Sequence, residues 1–353
     1  MPYLLGCDFG GSSAKATLLS AAGQVVATAS AEYPTHYPKP GWAEQDPEDS
    51  YRALIQNVHA LLRESGVDPS EILALILDGA THTAVLLDDR DAVIRRAIYW
   101  TDKRSAPQAA GLKPMEAEIL RLSYNAPSSL WTLPQLMWLK ENEPKAHARI
   151  RRVLSMKDYV RFRLTGDYVT DSIEAMGFML RDETAGEWSE TLCGLAGLRP
   201  ERMPEVVEPA ARLSPLTAKA CAETGLSQKA MVLAGATDTA LEVFAAGAIA
   251  PGQATVKLAT AGRICPITAQ AVADRMLVCY RHVVPGLWYP GTATKSCATS
   301  NRWYRDTFGG EYEALSAAAA TVPAGCEGLF YHPYLQGEIT PYLDDRLRAS
   351  FTG

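Results

Sequence analysis

The stretch "LLGCDFGGSSAKATLL", residues 4–19, places an acid, a glycine pair and two serines between two apolar runs. Glycine accepts positive φ without steric cost, so a glycine pair after a short apolar run predicts a tight turn. We therefore expect a hairpin whose tip, from Gly10 to Ser13, exposes backbone N–H groups and two hydroxyls. The tip is either an ordinary polar turn or a phosphate-binding loop beside which Asp8 holds a hydrated metal ion.

Two familiar phosphate motifs are excluded. The chain contains no G-x-x-x-x-G-K-[ST] segment, and the opening stretch lacks both the G-x-G-x-x-G spacing and the helix that follows it in dinucleotide-binding folds. The remainder of the chain therefore has to decide whether the hairpin tip binds phosphate.

The composition limits the class of protein. With 353 residues, 47% hydrophobic and 21% charged, the chain is long enough for two globular domains. A net charge of −6 and the lack of any basic run argue against a nucleic-acid partner. No apolar window approaches eighteen residues, so no membrane partner is expected. The seven cysteines are scattered without a C-x-x-C pair, which predicts reduced thiols and a cytoplasmic location.

The apolar spacing predicts an α/β chain that opens strand, strand, strand, helix, strand. Asp46 is a suitable N-cap with Pro47 at the first helical position, and Gly66 is a suitable end for that helix. The apolar run at 72–77 is typical of a buried central strand. The later predictions are two strands around a turn at 88–91, a mostly helical region at 107–165, a strand, turn and helix at 230–249, and a strand from 254.

The stretch "ATVKLATAGRICPITA", residues 254–269, repeats the pattern of the opening hairpin. Both stretches read as a strand, a turn of small and hydroxyl residues, and a second strand. A duplicated hairpin facing its copy would grip phosphate from two walls of a cleft.

Four further stretches carry candidate functional side chains, and each has an ordinary structural alternative. "GWAEQDP" contains Trp42 and Glu44 but also reads as a helix-capping segment. His82 follows a buried strand end, where ligand sites of α/β folds lie, yet a lone histidine is often structural. "YWTDKR", residues 99–104, combines aromatic, acidic and basic side chains, or is a solvated strand end.

The fourth stretch, "AGATDTA" at residues 234–240, places Asp238 at a predicted strand-to-helix junction. Helix N-terminal N–H groups favour the ionised carboxylate, which can accept a proton from a hydroxyl as its oxygen attacks phosphorus. The same aspartate is also a suitable helix cap.

In order along the chain, these motifs resemble the FGGY family of carbohydrate kinases, and its xylulokinase members most closely. The opening hairpin is similar to the first phosphate loop of the family, and "LATAGR" to its second, G-T-S-G. The segments G-W-x-E-x-D-P and W-x-D-x-R recur here, and His82 stands where xylulokinases have Q-M-H-G. "KDYVRFRLTGDYVTDSIEAMG" and "YHPYLQGEITPYL" resemble two later family segments.

The resemblance implies two ribonuclease-H-like (actin-type) domains around a cleft, with the second incomplete. Residues 1–249 would form the first domain, with the sugar site and the base, and residues 250–353 would begin the second. The implied partners are a small-molecule sugar and ATP with Mg²⁺, and a homodimer is a candidate assembly. The implied roles are a base at Asp238, sugar contacts at Glu44, Thr81, His82, Trp100, Asp102 and Thr239, phosphate contacts at Gly10, Gly11, Ser12, Ser13, Lys15, Thr260, Ala261 and Gly262, and metal binding through water at Asp8 with Asp238 as a second candidate.

Departures from the family pattern qualify these roles. Gly11 replaces the usual threonine of the first loop. Ala259 replaces the first glycine of the second loop, which would cost about 1 kcal/mol if that position needs positive φ. Thr81 and Thr239 replace a methionine and an asparagine of the xylulose pocket. The stretch "LPQLMWLKENEP" resembles a family signature in which Gln135 replaces the usual lysine.

The sequence therefore leaves more than one substrate and more than one class of activity open. A pentulose such as D-xylulose is the first expectation, and another ketose or polyol, of the ribulose or gluconate type, is the second. A catalytically inactive sugar-binding protein on the same fold and an actin-type ATPase such as a chaperone are the rivals from other classes. Because the family's adenosine-binding segment has no counterpart here, we also expect a truncated kinase that keeps the sugar site, binds ATP poorly and turns over slowly or not at all.

Overall fold

The glycine pair at positions 10 and 11 joins two antiparallel strands, which confirms the predicted hairpin. β1 (Tyr3–Phe9) and β2 (Ser13–Ser20) pair so that Asp8 lies opposite Lys15. The computed structural model describes residues 2–259, 261–335, 337–342, 344 and 346–353. The described chain divides into two compact units, residues 1–244 and 245–353.

The first unit contains a central sheet, several small ladders and ten helices among its described residues. Its strands after β1 and β2 are β3 (Val25–Glu32), β4 (Glu44–Gln45), β5 (Ile72–Gly79), β6 (Ala84–Leu87), β7 (Ala97–Ile98), β8 (Arg152–Ser155), β9 (Val169–Asp171), β10 (Arg181–Asp182), β11 (Glu187–Trp188), β12 (Glu205–Val207), β13 (Met231–Val232) and β14 (Ala236–Thr237). Its helices are α1 (Pro47–Ser65), α2 (Ala106–Gly111), α3 (Glu116–Ser123), α4 (Thr132–Asn142), α5 (Pro144–Arg149), α6 (Met156–Thr165), α7 (Glu174–Gly177), α8 (Glu190–Leu195), α9 (Ala218–Thr224) and α10 (Asp238–Ala245), the last of which ends at the border of the unit.

The central sheet has the strand order β13–β5–β1–β2–β3, and β14 also pairs with β5. The first three strands are antiparallel, whereas β5 runs parallel to β1, and β13 and β14 run parallel to β5. The carboxyl ends of β1, β5 and β14 therefore meet at one edge of the sheet. Ligands of open α/β sheets bind at such an edge, so the topology places the candidate site there.

Close packing at this edge depends on Gly235, between β13 and β14. Its φ is +79°, and a Cβ there would lie 1.9 Å from the carbonyl oxygen of Leu77 in β5. Only glycine fits both the left-handed backbone and this approach. The turn before α10 is thereby held directly against the central strand.

Helix α1 covers one face of the sheet and has the predicted ends. The Asp46 carboxylate accepts a hydrogen bond from Glu48 N at 3.0 Å, and Gly66 closes the helix with φ 65°. The buried Asn57 donates to Ala14 O in β2 at 2.9 Å. A core of fully buried apolar side chains lies between the sheet and helices α1, α6 and α9, among them Leu54 and Leu75.

The predicted pair of strands around residues 88–91 is only partly correct. The turn is present, but a single bridge joins Leu87 to Val93. β6 instead pairs with the distant β8, and β7 pairs with β4. The backbone groups of the two strands are thus taken by partners that local periodicity does not reveal. The region 107–165 is mostly helical as predicted, with β8 inserted into it.

The second unit contains a four-stranded antiparallel sheet of order β15–β16–β18–β17. Its described elements are β15 (Ala254–Leu258), β16 (Gly262–Pro266), β17 (Val278–Arg281), β18 (Trp288–Thr294), α11 (Ala298–Phe308), α12 (Tyr312–Ala320), β19 (Phe330–His332) and β20 (Ser350–Thr352). β15 and β16 form the predicted second hairpin. Val256 and Leu258 are 63% and 78% exposed, so β15 presents apolar side chains to solvent.

Candidate active site

Three aspartates lie near one another at the carboxyl edge of the central sheet. The register pairs Asp8 of β1 with Asp78 of β5, and Asp78 with Ala236 of β14, two residues before Asp238. Burial raises the pKa of Asp78 to about 8, and the charge of Asp8, a hydrogen bond with Asp8 and the charge of Asp238 add to the shift. Asp78 is therefore protonated at neutral pH and shares its proton with Asp8, which reduces the repulsion within the group.

Asp238 is the first residue of α10, at the predicted strand-to-helix junction. Its Oδ1 accepts from Thr239 N at 2.5 Å and from Thr239 Oγ1 at 3.2 Å. The hydroxyl of Thr237 accepts from Ala240 N at 3.4 Å, so the preceding residue shares the capping of the helix. The helix N-terminus stabilises the negative charge of the carboxylate. Thr239 thus contacts the candidate base itself, and its placement as a sugar contact stays a prediction.

In the predicted first phosphate loop, protein donors bind the carbonyl oxygens of all four residues from Gly10 to Ser13. Tyr33 Oη donates to Gly10 O at 2.6 Å, and Thr35 Oγ1 and Gln45 Nε2 both donate to Gly11 O at 2.9 Å. The carbonyls at positions 12 and 13 accept from the backbone N–H groups of residues 33 and 10. These bonds take up the loop carbonyls and the N–H group of Gly10. The remaining N–H groups and the two serine hydroxyls are of the type that binds phosphate, so the role of the loop stays a prediction.

The second predicted phosphate loop lies in the second unit. A Cβ at Gly262 would lie 2.8 Å from Thr294 Cγ2 of the paired strand, so close packing requires glycine here. Thr294 in turn donates to the buried Glu338 at 2.6 Å. Ala261 is exposed, and Thr260 lies outside the described residues. Ala259 is not among the described residues with positive φ, so the strain expected from its replacement of glycine does not arise.

Glu44 and Asp102, two of the predicted sugar residues, are brought together by Arg104. The guanidinium donates to Asp102 Oδ2 and to Glu44 Oε1, both at 2.8 Å, and stacks 3.7 Å from the ring centroid of Trp42. Asp102 also accepts from Ala43 N at 2.6 Å and is 1% exposed. The protein donors already occupy both oxygens of Asp102. Asp102 thereby links Ala43, before β4, to Arg104, after β7, and so stabilises the paired strands β4 and β7 and their flanking residues, the β4–β7 corner.

The carboxylate of Glu44 keeps one oxygen outside its ion pairs. Arg95 and Arg104 both bond to Oε1, and Oε2 takes part in neither contact. Arg95 also joins Glu143 at 2.7 Å. The sequence did not single out Arg95, because nothing local marks a basic residue after the 88–91 turn as a partner of Glu44. The Trp100 side chain is 39% exposed.

Thr81 and His82 lie in a second cluster around the buried Glu174. Thr81 Oγ1 donates to Glu174 Oε1 at 2.6 Å. His82 has a left-handed backbone, with φ 66°, and its ring contacts the edge of Trp131 at a centroid distance of 4.6 Å. A Cβ on Gly177 would lie 2.2 Å from the Thr81 hydroxyl, so helix α7 can approach only because this residue is glycine. A left-handed non-glycine residue is a strained position of the kind that functional sites retain.

Glu174 and its supporting ions were not singled out from the sequence. Burial raises the pKa of Glu174 to about 8, and the charges of Asp158 and Asp171 raise it further, against the opposing effect of Lys157. Its Oε2 is buried with no hydrogen-bond partner among the described residues. The only signal in the sequence was an acid within "TDSIEAMG", which is also an ordinary helix start.

A buried network of charged side chains holds the first residue of α7 in place. Lys157 Nζ bonds to Asp158 Oδ1 and Asp171 Oδ2, each at 2.6 Å, and Arg161 Nη2 bonds to Asp158 at 2.9 Å. Asp171 Oδ1 accepts from Glu174 N at 2.9 Å. Burial would lower the pKa of Lys157, but the two aspartates raise it above its usual value. The network therefore fixes the segment that carries Glu174.

Among the described residues, no three His, Cys, Asp or Glu side chains are grouped closely enough to hold a metal ion directly. Asp8 and Asp238 nevertheless offer the hard oxygen donors that Mg²⁺ takes, directly or through water. Within the described part of the chain, no helix combines the length and apolarity needed to cross a membrane.

Comparison with known proteins gives concordant results. A model of the FGGY family of carbohydrate kinases, N-terminal domain, matches residues 3–245. A xylulose kinase of Bacillus subtilis is 33% identical over 358 residues, which cover 100% of this chain and 72% of that protein.

Solved structures match the whole chain closely. A xylulose kinase from Brucella ovis aligns with TM-score 0.94 and 34% identity, covering 99% of this chain and 73% of that one. A gluconate kinase from Lactobacillus acidophilus aligns with TM-score 0.93 and 25% identity, covering 100% and 72%. The described fold is therefore that of the actin-like sugar kinases, and the chain spans somewhat less than three quarters of these relatives.

Proposed function

Because the chain belongs to the FGGY family of carbohydrate kinases, we propose that it transfers a phosphoryl group from ATP to D-xylulose, with Asp238 as general base. The kinase class and the use of ATP follow from the family. The choice of sugar is supported by the relatives named xylulose kinase at 32–33% identity. The base assignment is supported by the position of Asp238 at the start of α10, beside Asp8 and Asp78 at the open edge of the sheet.

In this proposal Asp238 carries out a single proton transfer. A hydroxyl of the sugar attacks the terminal phosphorus, and the Asp238 carboxylate accepts the proton that this hydroxyl loses. The hydrogen bonds from Thr239 hold the carboxylate in place before the reaction. Most of the rate enhancement in such transfers comes from orientation and charge neutralisation, which a rigid helix start and sheet edge can supply.

The charges at the edge fit a magnesium–nucleotide complex. Asp8 and Asp238 would hold Mg²⁺ through water, and the ion would neutralise charge on the phosphates when bound. Asp78 keeps its proton at neutral pH, so the group does not carry three adjacent negative charges. The first loop, with its carbonyls turned into the protein, would bind phosphate oxygens through N–H groups, hydroxyls and Lys15.

The sugar would be bound by groups that remain open toward it. Glu44 Oε2 is outside the ion pairs with Arg95 and Arg104, and a carboxylate oxygen accepts well from sugar hydroxyls. The exposed ring of Trp100 offers an apolar face for the carbon skeleton. His82 and Thr81 complete the proposed set from the side of Glu174. In this proposal Asp102 acts through Arg104, which it holds against Glu44.

Gluconate is the second candidate substrate, because the backbone of the gluconate kinase structure matches this chain with TM-score 0.93 against 0.94 for the Brucella ovis xylulose kinase, at 25% against 34% identity. A panel of D-xylulose, D-ribulose, gluconate and glycerol separates the candidates. Each sugar is added to the whole chain with ATP and Mg²⁺, and ADP release and thermal stabilisation are recorded. We expect xylulose to give the largest thermal stabilisation and, among the compounds that cause ADP release, the fastest release. Stabilisation without ADP release would indicate a sugar-binding protein, and a response to no sugar would refute the proposal.

A further inference from the structure

The hydroxyl of Tyr99, the residue after β7, fills the space that a side chain at position 11 of the first loop would need. A Cβ at position 11 would lie 2.6 Å from Tyr99 Oη, a distance that real Cβ atoms do not show. The three heavy atoms nearest to that point all belong to Tyr99. Gly11 is not among the described glycines with a left-handed backbone, so its φ would accept other residues. A side chain at position 11 is therefore excluded by a steric clash with the Tyr99 hydroxyl and not by the backbone conformation.

The position of the Tyr99 hydroxyl is set by its neighbours. Tyr99 N donates to Ala43 O at 2.9 Å, and the side chain is 7% exposed. Burial raises the pKa of Tyr99 to about 12, and the charges of Asp238 and Asp8 contribute, while a hydrogen bond from the Trp100 side chain opposes the shift. The phenol is thus protonated at neutral pH. Since the indole N–H can only donate, Trp100 leaves the Tyr99 proton for another acceptor.

We propose that Tyr99 Oη is a phosphate-binding group of the first loop, which supplies from a distant segment the hydroxyl that position 11 lacks. It donates to an oxygen of the terminal phosphate of the bound nucleotide, between Asp8 and Asp238. Threonine is the usual residue at position 11 of similar loops, so Gly11 and Tyr99 form a matched pair that restores one hydroxyl. This inference rests on the proposed kinase function, because it assigns a ligand to that same edge.

A neutral donor suits this position electrostatically. Two carboxylates and a polyphosphate repel one another, and an O–H group adds a favourable bond without a further charge. Tyr33, Thr35 and Gln45 already donate to the carbonyls of Gly10 and Gly11, so these two carbonyls accept from other donors. The phosphate is then met by donors from the loop and from Tyr99 together.

The direct test measures binding of inorganic tripolyphosphate, with Mg²⁺, to the whole chain by isothermal titration. We expect Tyr99→Phe to weaken binding by about tenfold, the loss typical of one hydrogen bond to a charged group. Tyr3→Phe, at the opposite end of β1, is the matched control and should leave the affinity unchanged. Affinity of Tyr99→Phe within about twofold of the wild type would overturn the inference, as would a wild-type chain that binds no tripolyphosphate.

A reciprocal exchange keeps the test decisive if Tyr99→Phe folds poorly. Gly11→Thr alone should weaken tripolyphosphate binding, because the new side chain meets Oη. The double variant Gly11→Thr, Tyr99→Leu returns the hydroxyl to the loop and removes the obstacle, so its affinity should recover to within about threefold of the wild type. Equal losses in the single and double variants would contradict the pairing.

The outcomes separate this inference from the proposed function. Sugar-dependent ADP release in the wild type together with an unchanged Tyr99→Phe affinity would overturn the inference and leave the kinase assignment standing. Tripolyphosphate binding that depends on Tyr99, in a chain that no sugar stabilises, would support the phosphate contact and overturn the choice of sugar. The thermal midpoint of each variant, measured in parallel, shows whether an altered affinity reflects local chemistry or loss of fold.

Discussion

At the scale of single residues, the aspartates of the sheet edge have different tasks despite their shared chemistry. Asp238 lies at a helix N-terminus, which favours its charge, whereas Asp78 lies in a partly buried position against Asp8. Environments of this kind separate a base from a protonated neighbour. The two predictions that follow use this difference.

The Asp238→Asn substitution tests the proposed base. The amide keeps the size and most hydrogen bonds of the side chain but cannot accept the proton, so turnover should fall by about 10²- to 10⁴-fold. Thermal stabilisation by the sugar should remain, since binding does not need the proton acceptor. Glu242→Gln, an exposed change on the same helix, is the control. Turnover of Asp238→Asn within about tenfold of the wild type would remove Asp238 from this role.

The Asp78→Asn substitution tests the raised pKa of Asp78. The folded chain binds this proton up to about pH 8, whereas the unfolded chain releases it near the ordinary aspartate pKa of 3.8. The free energy of unfolding of the wild type should therefore fall, relative to Asp78→Asn, as pH rises from 5 to 7. The expected slope is at most about 1.4 kcal/mol per pH unit.

Urea unfolding at pH 5, 6 and 7 measures this slope. The variant Asp89→Asn, at an exposed position, is the control, with a constant difference from the wild type expected over the same range. A constant difference for Asp78→Asn as well would mean that Asp78 is ionised in the folded chain.

At the scale of elements, the ends of helix α1 can be predicted from neighbouring residues alone. Its first and last residues follow from Asp46, Pro47 and Gly66, which act within one turn of the chain. The pairing of β6 and β7 shows the opposite case, since both strands pair with segments far away in the sequence. Helix ends are local, and strand partners are not.

The cap of α1 gives a prediction of stability. Asp46→Ala removes the acceptor of the Glu48 N–H group and should cost about 1 kcal/mol of unfolding free energy. Because α1 belongs to a unit of residues 1–244, the thermal midpoint of that unit should fall by about 2–4 °C. Asp46→Asn retains an oxygen acceptor and is the matched control, expected to stay close to the wild type. An equal loss in both variants would point to the charge of Asp46 and not to the hydrogen bond.

At the scale of the whole molecule, the buried ions of the first unit join segments that are separated along the chain. Lys157, Asp158 and Arg161 belong to α6, Asp171 ends β9, and the network leads through Glu174 to Thr81 after β5. Removing one partner of such a network leaves a charge buried without compensation.

Lys157→Met should therefore destabilise the chain strongly. The two aspartates lose their cation in a fully buried place, and the cost is about 3–5 kcal/mol. Lys219→Met provides the comparison, because Lys219 is 72% exposed and lies 3.9 Å from Glu223 in a surface pair. That variant should lose less than about 1 kcal/mol. Chemical denaturation measures both, and similar small losses would show that Asp158 and Asp171 can be accommodated without Lys157.

The sequence by itself determined the features that depend on neighbouring residues. The opening hairpin follows from the glycine pair, and the limits of α1 follow from its caps. The family follows from ordered motifs along the whole chain, because each motif is a short segment whose residues act together. The positions of Asp8, His82 and Asp238 at strand ends could be predicted for the same reason.

Only the tertiary structure decided which distant side chains meet. Asp78 became a partner of Asp8 through the register of β1 and β5, and Arg104 joined Asp102 to Glu44 through the β4–β7 corner. The contact between Gly11 and Tyr99 likewise depends on how the loop packs against that corner. Such contacts result from strand pairing and close packing over the whole unit, whose energies depend on all the segments at once and on no single stretch of sequence.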